Sequence, residues 1–279
     1  SPGCIQGHFA TLQIYRRTWI NQHHAALPNH RAGMRVVQAI SEFLNDSYRI
    51  DSNNIRYIIG YYRPNNKFPR HFFGEFVRQT QDKTKTSLDE FAYFQDTKHF
   101  NIGFFNPKAS LTAPWTLSSA TPVDLLQFGA FYKQHSGGLM PFALDLTAED
   151  YCNKNIADTY SANGLCRTRQ VFALRYEGEL CALIDLQQSS RGLNLSEITN
   201  ALSFFFLSCP DREATHSAVK AVVTLLANNY RKEQHPVMIY PAETAAFLGF
   251  SPKKMYILWA LDIVAGADSY MDWMNKFCR

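Results

Sequence analysis

The sequence predicts an α/β protein with a mixed (α+β) sheet, organised as two units in tandem. Segments rich in β-branched and aromatic residues alternate with segments whose apolar residues recur at helical spacing. The stretch "NPKASLTAPWTLSSATP" carries three prolines and many small polar residues near the middle of the chain. The order of elements in the first half recurs at the end of the second half. These observations predict units at residues 1–107 and 121–279, joined by a linker at 108–120.

Composition narrows the class of protein. A chain of 279 residues with 46% hydrophobic and 19% charged residues is typical of a globular protein that buries its own cores. The formal charge is +4, and Lys and Arg are scattered along the chain. This pattern does not predict nucleic-acid binding. It leaves a small anionic ligand or a partner protein domain as the expected partner.

The cysteine pattern and the hydropathy of the sequence predict where in the cell the protein is found. None of the six cysteines forms a CxxC pair or a Cys/His spacing suited to zinc, so we expect reduced thiols and no metal site. No apolar run approaches the roughly 20 residues that span a bilayer, and the start "SPGCIQGHF" lacks the layout of a secretion signal. The expectation is a cytoplasmic protein without a membrane partner. Because the chain lacks an initiator Met, we expect a fragment of a longer protein.

The first half predicts the order β-α-β-α-β-β. "HFATLQIYRRTWINQHHAA" indicates one extended strand, and apolar residues from Met34 onward indicate a helix. "IRYIIGYYRP" is typical of a buried strand that Pro64 ends, and "PRHFFGEFVRQTQ" of a short helix. "DEFAYFQDTKHFNIGFF" indicates two strands around a polar turn.

The second half predicts the order α-α-β-β-β-α-β-α-β. "PVDLLQFGAFYKQH" indicates a helix capped by Thr121, and a short helix follows near "TAEDYCNKNIAD". The strands of "RQVFALRYEGELCALIDLQQSS" meet in a tight hairpin at Glu177–Gly178. The remaining segments are, in order, the strand "ITNALSFFFLS", the helix "DREATHSAVKAVVTLLANNYRKE", the strand "PVMIYP", the helix "AETAAFLGF" and the strand "KKMYILWALDIV".

Three of these segments carry a resemblance to a known family. "FFFLSCPDREATHSAVKAVVTLL" supplies a central strand and long helix, "VMIYP" the next strand, and "AAFLGFSPKKMYILW" a short helix, a Gly-Phe turn and a closing strand. In this order the second half resembles the GNAT (GCN5-related N-acetyltransferase) fold. The first half looks like the same fold without its N-terminal portion. The resemblance covers most of the chain as topology, and it implies acetyl-CoA or another acyl-CoA as the ligand.

In that family an R/Q-x-x-G-x-G/A turn and the following helix N-terminus hold the acyl-CoA pyrophosphate. The equivalent place in the second half, "SCPDREATHSA", has no glycine and carries Asp211 and Glu213. Acidic residues are favourable in the first turn of any helix. The second half is therefore predicted to have an ordinary helix start that does not bind CoA.

The equivalent place in the first half is "HRAGMR". Gly33 falls on the first glycine of the pattern, His30 replaces Arg or Gln, and Arg35 replaces the last small residue. Arg35 either obstructs the turn or supplies charge to an anion, and both interpretations stay open. Arg31, Gly33 and Arg35 are the candidate ligand-binding residues of a degenerate turn.

Candidate catalytic residues follow from the resemblance. It implies a carboxylate base, for which Asp185 and Glu197 are candidates, and a tyrosine acid, for which Tyr240 and Tyr256 are candidates. Each of the four is also consistent with a structural role.

Two further segments carry polar residues. In "SSRGLNLSEITN", Arg191, Gly192 and Asn194 are candidate anion ligands, with a capped or bulged turn as the alternative. His23, His24 and His30 lie close in sequence, but adjacent strand residues point to opposite faces, so no metal site is predicted.

Two functions are consistent with the sequence. Because neither half keeps the full glycine pattern, the favoured one is a non-catalytic GNAT-like module that binds a ligand or a protein within a larger bacterial-type protein. The alternative is a tandem GNAT acyltransferase that moves an acyl group from acyl-CoA to an amine.

Overall fold

The fold was analysed in a computed structural model, which describes residues 5–27, 31–50, 54–95, 100, 110–151, 154–190, 197–227 and 235–278. The predicted α/β class with a mixed sheet is confirmed, because parallel and antiparallel strand pairs both occur. Within these ranges no helix is long and apolar enough to cross a membrane.

The strands and helices alternate along most of the chain. The strands are β1 (Gly7–Tyr15), β2 (Thr18–Ala26), β3 (Tyr57–Tyr62), β4 (Thr86–Phe94), β5 (Trp115–Ser119), β6 (Arg167–Tyr176), β7 (Glu179–Ser189), β8 (Leu202–Phe206), β9 (Val237–Tyr240) and β10 (Lys254–Asp262). The helices are α1 (Ala32–Ser47), α2 (Lys67–Pro69), α3 (Glu75–Thr80), α4 (Pro122–His135), α5 (Met140–Ala143), α6 (Lys154–Ala162), α7 (Arg212–Ala227), α8 (Ala242–Phe247) and α9 (Ile263–Phe277). A π-helical segment (Arg70–Gly74) joins α2 to α3, and a 3-10 turn (Glu197–Asn200) precedes β8.

The chain divides into two compact units. Unit 1 holds Ser1–Asp89, Gly137–Asp145 and Ile257–Arg279, and unit 2 holds Glu90–Ser136 and Leu146–Tyr256. Each compact unit is therefore built from separate stretches of sequence. The division into a first GNAT-like unit at 1–107, without its N-terminal portion, and a second at 121–279 concerns ancestry and stays a prediction.

In unit 1 the strand order is β1-β2-β3-β10. The segment predicted as one strand is a hairpin, because β1 and β2 pair antiparallel, with Tyr15 opposite Thr18. The two turn residues, Arg16 and Arg17, carry none of the Gly, Asn or Asp signals of a hairpin turn. The backbone N–H of Arg16 instead donates to Asp145 Oδ2 over 2.8 Å, a contact between distant residues that local sequence does not reveal.

Helix α9 is absent from the predicted order, which extended the last strand to Val264. Asp262 ends β10 and accepts hydrogen bonds from the backbone N–H groups of Val264 and Ala265, at 3.0 and 3.2 Å. It is a typical N-cap. The sequence around Asp262 is apolar, and a short apolar run does not distinguish a buried strand from a buried helix. The boundary between β10 and α9 was therefore not predicted.

The core of unit 1 centres on Trp259, which is fully buried and stacks on Phe73 with ring centroids 4.2 Å apart. Its indole N–H donates to Thr86 Oγ1 over 3.0 Å, and the same hydroxyl donates to the carbonyl of Ala260 over 2.9 Å. One threonine therefore satisfies two buried polar groups.

We expect Thr86→Val to lower the free energy of unfolding by about 1–3 kcal/mol, because it keeps the side-chain shape and leaves both groups unpaired. Chemical denaturation measures the change. Thr116→Val makes the same substitution at an exposed position of β5 and serves as the control, with an expected effect within about 0.5 kcal/mol. Equal effects of the two substitutions would show that the buried hydrogen bonds contribute nothing.

In unit 2 the strand order is β4-β9-β8-β7-β6-β5. The predicted hairpin is confirmed: β6 and β7 pair antiparallel, and both turn residues have positive φ, 51° at Glu177 and 87° at Gly178. The predicted cap is confirmed as well, since Thr121 and Asp124 form a capping box at the start of α4.

The segment predicted as a linker at 108–120 contains a strand. β5 pairs antiparallel with β6 along its whole length, from Trp115 opposite Tyr176 to Ser119 opposite Phe172. The Trp115 side chain is buried, whereas Thr116 is exposed. Prolines on either side of a short strand are consistent with a position at the edge of a sheet. Of the two strands predicted in "DEFAYFQDTKHFNIGFF", the first is the end of β4, and most of the second lies outside the described residues.

Candidate functional site

The parallel strands β2 and β3 of unit 1 are paired over a short region only. They pair only from Thr18 opposite Tyr57 to Ile20 opposite Ile59. Both strands continue beyond that point, β2 for six residues to Ala26 and β3 for three to Tyr62. We call the unpaired region between these continuing ends the unit 1 opening. Ligands of α/β sheets bind outside the carboxyl ends of parallel strands, which is where this opening lies.

A β-bulge shapes the β2 side of the opening. Pairing with β1 passes from His8–Ala25 to Ala10–Gln22, so β2 contains one extra residue. His23 has a positive φ of 50°. Bulges of this kind redirect neighbouring side chains and are frequent beside functional sites.

The N-terminus of α1 follows β2 and is suited to an anion. Among the described residues no side chain caps it, and its first turn contains no acidic residue. Arg31, immediately before the helix, adopts the left-handed conformation with φ 47°, and the side chains of Arg31 and Arg35 are exposed. The first N–H groups of a helix lack intrahelical acceptors, and the helix dipole adds positive potential there. This end of α1 therefore offers N–H donors and two guanidinium groups, and its own first turn contains no carboxylate.

Gly33 brings α1 close to β2. A Cβ atom at this position would lie 3.4 Å from the Ala26 Cβ and 3.5 Å from His24 Nε2. His24 Nε2 lies 2.9 Å from the Gly33 carbonyl, which can only accept, so the imidazole donates. Partial burial lowers the pKa of His24, as does the nearby His8, whereas the hydrogen bond to Gly33 raises it. The imidazole also contacts the rings of Phe9 and Phe68, with centroids 5.6 and 5.4 Å away. The glycine of the degenerate turn thus permits a close helix–strand contact.

The corresponding place in unit 2 is closed. β8 and β9 pair over all four residues of β9, from Leu202 opposite Val237 to Phe205 opposite Tyr240. Asp211 Oδ1 accepts from the backbone N–H of Ala214 over 2.7 Å, and Glu213 lies in the first turn of α7. The carboxylate occupies a helix donor that a phosphate would need. The geometry agrees with the helix start predicted for this segment.

Asp185, a predicted base, lies in a buried ion pair. Its two carboxylate oxygens accept from Arg169 Nε and Nη2 over 2.8 and 2.9 Å, and Gln187 Nε2 donates to it over 2.6 Å. The side chains of Asp185 and Arg169 are 1% and 3% exposed. Both carboxylate oxygens are therefore engaged and almost fully buried, an arrangement typical of a structural ion pair.

The other three catalytic candidates, Glu197, Tyr240 and Tyr256, lie at two separate positions in unit 2. Tyr240 is buried beside Phe91 and Tyr132, with ring centroids 5.3 and 6.1 Å away. Glu197 and Tyr256 are both in contact with Tyr93, whose hydroxyl donates to Glu197 Oε2 over 3.0 Å and whose ring lies 5.0 Å from that of Tyr256. The structure thus brings Glu197 and Tyr256 to one tyrosine.

Some candidates lie outside the described residues, namely Arg191, Gly192, Asn194 and His30. In the part of the chain that is described, no group of three or more His, Cys, Asp or Glu is arranged to hold a metal ion.

Sequence reasoning missed several buried polar residues on the continuing ends of β2 and β3. The carboxamide oxygen of Asn21, both polar atoms of Gln22 and the hydroxyl of Tyr62 are buried without a hydrogen-bond partner among the described residues. Burial raises the pKa of Tyr62 to about 12, so its hydroxyl stays protonated at neutral pH. The only sequence signal was a pair of carboxamide residues in an otherwise buried part of a strand, in "WINQHH".

Comparison with known proteins gives structural similarities only. No protein-family model matches the sequence, and no curated protein gives a significant match. Similar solved structures include a tandem GNAT protein from the clavulanic acid biosynthesis pathway, with 12% identity over 94% of this chain and 80% of that chain and a TM-score of 0.42. A GCN5-related N-acetyltransferase from Kribbella flavida has 9% identity over 92% and 88% and a TM-score of 0.43. A conserved protein of unknown function from Staphylococcus epidermidis has 10% identity over 88% and 84% and a TM-score of 0.42. At these identities and TM-scores, none of the three assigns an activity to the present chain.

Proposed function

We propose that the chain is a GNAT-like ligand-binding module that binds acyl-CoA through unit 1 alone. The observation that carries the proposal is the unit 1 opening beside the N-terminus of α1, which no side chain of the described residues caps. Unit 2 combines the same strand–helix–strand order with a closed strand pair and a carboxylate cap. This difference between the units supports unit 1 as the proposed binding site.

The pyrophosphate of the ligand would bind at the start of α1. The N–H groups of the first turn and the guanidinium groups of Arg31 and Arg35 are donors for phosphate oxygens. Gly33 allows this turn to lie close against β2, because a Cβ atom there would meet Ala26 and His24. In this interpretation Arg35 supplies charge to the anion, the second of the two roles left open by the sequence.

The acyl-bearing arm of the ligand would enter the opening. Beyond Ile20 the β2 backbone is paired with β1 on one side, and no pairing with β3 exists on the other. An unpaired strand edge offers N–H and C=O groups to an extended ligand, as in binding by strand addition. The arm of acyl-CoA carries amide groups that can use such an edge.

We propose binding without catalysis because the opening lacks a carboxylate base. The segments on its two sides, 21–26 and 60–62, contain no Asp or Glu. The imidazole of His24 already donates to Gly33 through Nε2. The alternative is an acyl-CoA-dependent N-acyltransferase, which needs a second ligand. The observation that favours it is the buried carboxamide of Gln22, which has no partner among the described residues.

Calorimetric titration with acetyl-CoA tests the proposal. We expect one molecule to bind per chain, with a dissociation constant in the micromolar range and competition by CoA. Absence of heat and of any thermal shift up to millimolar acetyl-CoA would refute the proposed function. Two bound molecules per chain would refute the assignment to unit 1 alone. Release of free thiol from acetyl-CoA in the presence of amines would favour the acyltransferase alternative.

A further inference from the structure

β1 is the edge strand of unit 1. Within the described residues the strand order begins at β1, and β2 is the strand that pairs with it. An edge strand exposes a row of backbone N–H and C=O groups, to which a strand of another chain can be added. β1 has nine residues, whereas a typical strand has about five or six. The exposed row is therefore long.

The sequence of β1 carries none of the residues that protect an edge. Natural edge strands are commonly short or contain Lys or Pro, which discourage pairing with another chain. β1, "GHFATLQIY", contains no Lys, Arg, Asp, Glu or Pro. Its own extra residue is Ile14, beside the hairpin turn, and the extra residue of the other bulge belongs to β2. The part of β1 before Ile14 is therefore suited to pairing.

One side of α1 adds an apolar surface beside this edge. A Cβ atom on Gly7 would lie 3.1 Å from Cγ2 of Val36, so this side of the helix lies against β1. Phe43, two helical turns after Val36, is on the same side and is 50% exposed. Ala39, between them, is exposed as well. We call Val36, Ala39 and Phe43 the α1 stripe.

Another side of α1 is occupied within unit 1. Ser41 Oγ lies 3.2 Å from the hydroxyl of Tyr270 in α9, and Val37 packs in the core cluster that contains Trp259. The α1 stripe points away from α9. It therefore lies over the edge of the sheet that β1 forms.

A second copy of this chain fits the edge and the stripe together. An antiparallel pair of identical strands has a two-fold axis perpendicular to the sheet, so both copies place α1 on the same face of the joined sheet. The two α1 stripes then face each other across the axis. Because β1 has no Lys, Arg, Asp or Glu, self-pairing opposes no like charges of these residues. A charged partner strand would find no counter-charge from them.

We infer that unit 1 forms a dimer with a second copy of the chain, through antiparallel pairing of β1 with β1 and contact between the two α1 stripes. One strand pair and one helix side make a small interface, roughly 1,200 Å². The expected dissociation constant is on the order of 10 μM. The dimer does not depend on the proposed function, because it uses the side of β1 away from β2, whereas the unit 1 opening lies on the other side of β2.

Sedimentation velocity at protein concentrations from micromolar to millimolar tests the inference, together with hydrogen exchange of β1. We expect a concentration-dependent dimer in which the backbone amides of residues 7–13 exchange more slowly. Phe43→Glu places a carboxylate in the contact from both copies and should raise the dissociation constant about tenfold or more. Phe247→Glu is the matched control, because Phe247 is 52% exposed on α8 of unit 2. Its dissociation constant should stay within twofold of the wild type.

His8→Lys tests the strand without changing Phe43. His8 is exposed in β1, and the substitution supplies the residue type that protects natural edges. It should weaken the dimer as well. Because His8 and Phe43 are both exposed, each variant should keep the melting temperature of the dilute wild type, which distinguishes loss of the dimer from loss of the fold.

Three results would overturn the inference: a monomer at every concentration, a dimer whose β1 amides exchange as fast as in the monomer, or equal weakening by Phe43→Glu and Phe247→Glu. The first shows no self-association, and the other two place the contact elsewhere on the chain. Acetyl-CoA titration of Phe43→Glu should give the affinity of the wild type, so failure of the dimer is distinguished from failure of the acyl-CoA site.

Discussion

Replacing Asp185 by Ala is expected to lower the free energy of unfolding by about 3–5 kcal/mol. The substitution removes the carboxylate that accepts from both Arg169 nitrogens and from Gln187, and it leaves a guanidinium that is 3% exposed without that counter-charge. The cost comes mainly from the buried charge left behind, since water cannot reach it. Urea denaturation followed by circular dichroism measures the change.

Glu179→Ala is the matched control, because Glu179 is an acidic residue at the exposed start of the same strand. Its expected effect is within about 0.5 kcal/mol. The double variant Asp185→Leu, Arg169→Met should recover part of the loss, because it removes both charges together. A loss below about 1 kcal/mol in Asp185→Ala would contradict a structural ion pair and return Asp185 to the candidate bases.

Local signals in the sequence were sufficient wherever an element carries its own boundary residues. Gly178 marks the hairpin turn, and Thr121 with Asp124 marks the start of α4; both were predicted and both are confirmed. The turn at Arg16–Arg17 was missed because a tertiary contact to Asp145 supports it. β5 was missed because its pairing with β6 overrides a loop-like composition.

The candidate site shows the same contrast between features that adjacent residues determine and features that tertiary contacts determine. The acidic start of α7 and Gly33, which lies in the first turn of α1, were both identified from adjacent residues, and the role of Gly33 in ligand binding stays a prediction. The end of the pairing between β2 and β3 after Ile20 depends on the whole sheet, and no local pattern specifies it. The unpaired state of Gln22 is likewise a property of everything that surrounds it. The sequence identified Asp185 as a candidate carboxylate, but its ion pair with Arg169 is visible only in the fold.

Arg35→Glu is expected to weaken acetyl-CoA binding by about 10- to 100-fold, the equivalent of losing one charge-assisted hydrogen bond of about 1.5–3 kcal/mol. The variant also places a carboxylate in a first turn that has none, and so reproduces the acidic helix start of unit 2. Because Arg35 is exposed, the fold should keep its stability. Calorimetric titration at two salt concentrations measures the affinity, and the wild type should depend on salt more steeply than the variant.

Arg212→Glu provides the control within the same chain. Arg212 is the first residue of α7 and is exposed, so the substitution makes the same charge change at the helix start of the unit that is proposed not to bind. Its affinity for acetyl-CoA should stay within twofold of the wild type. If both variants weaken binding equally, overall charge and not the start of α1 attracts the ligand. If Arg212→Glu alone weakens it, the site lies in unit 2, and the closed β8–β9 pair must open to admit the ligand.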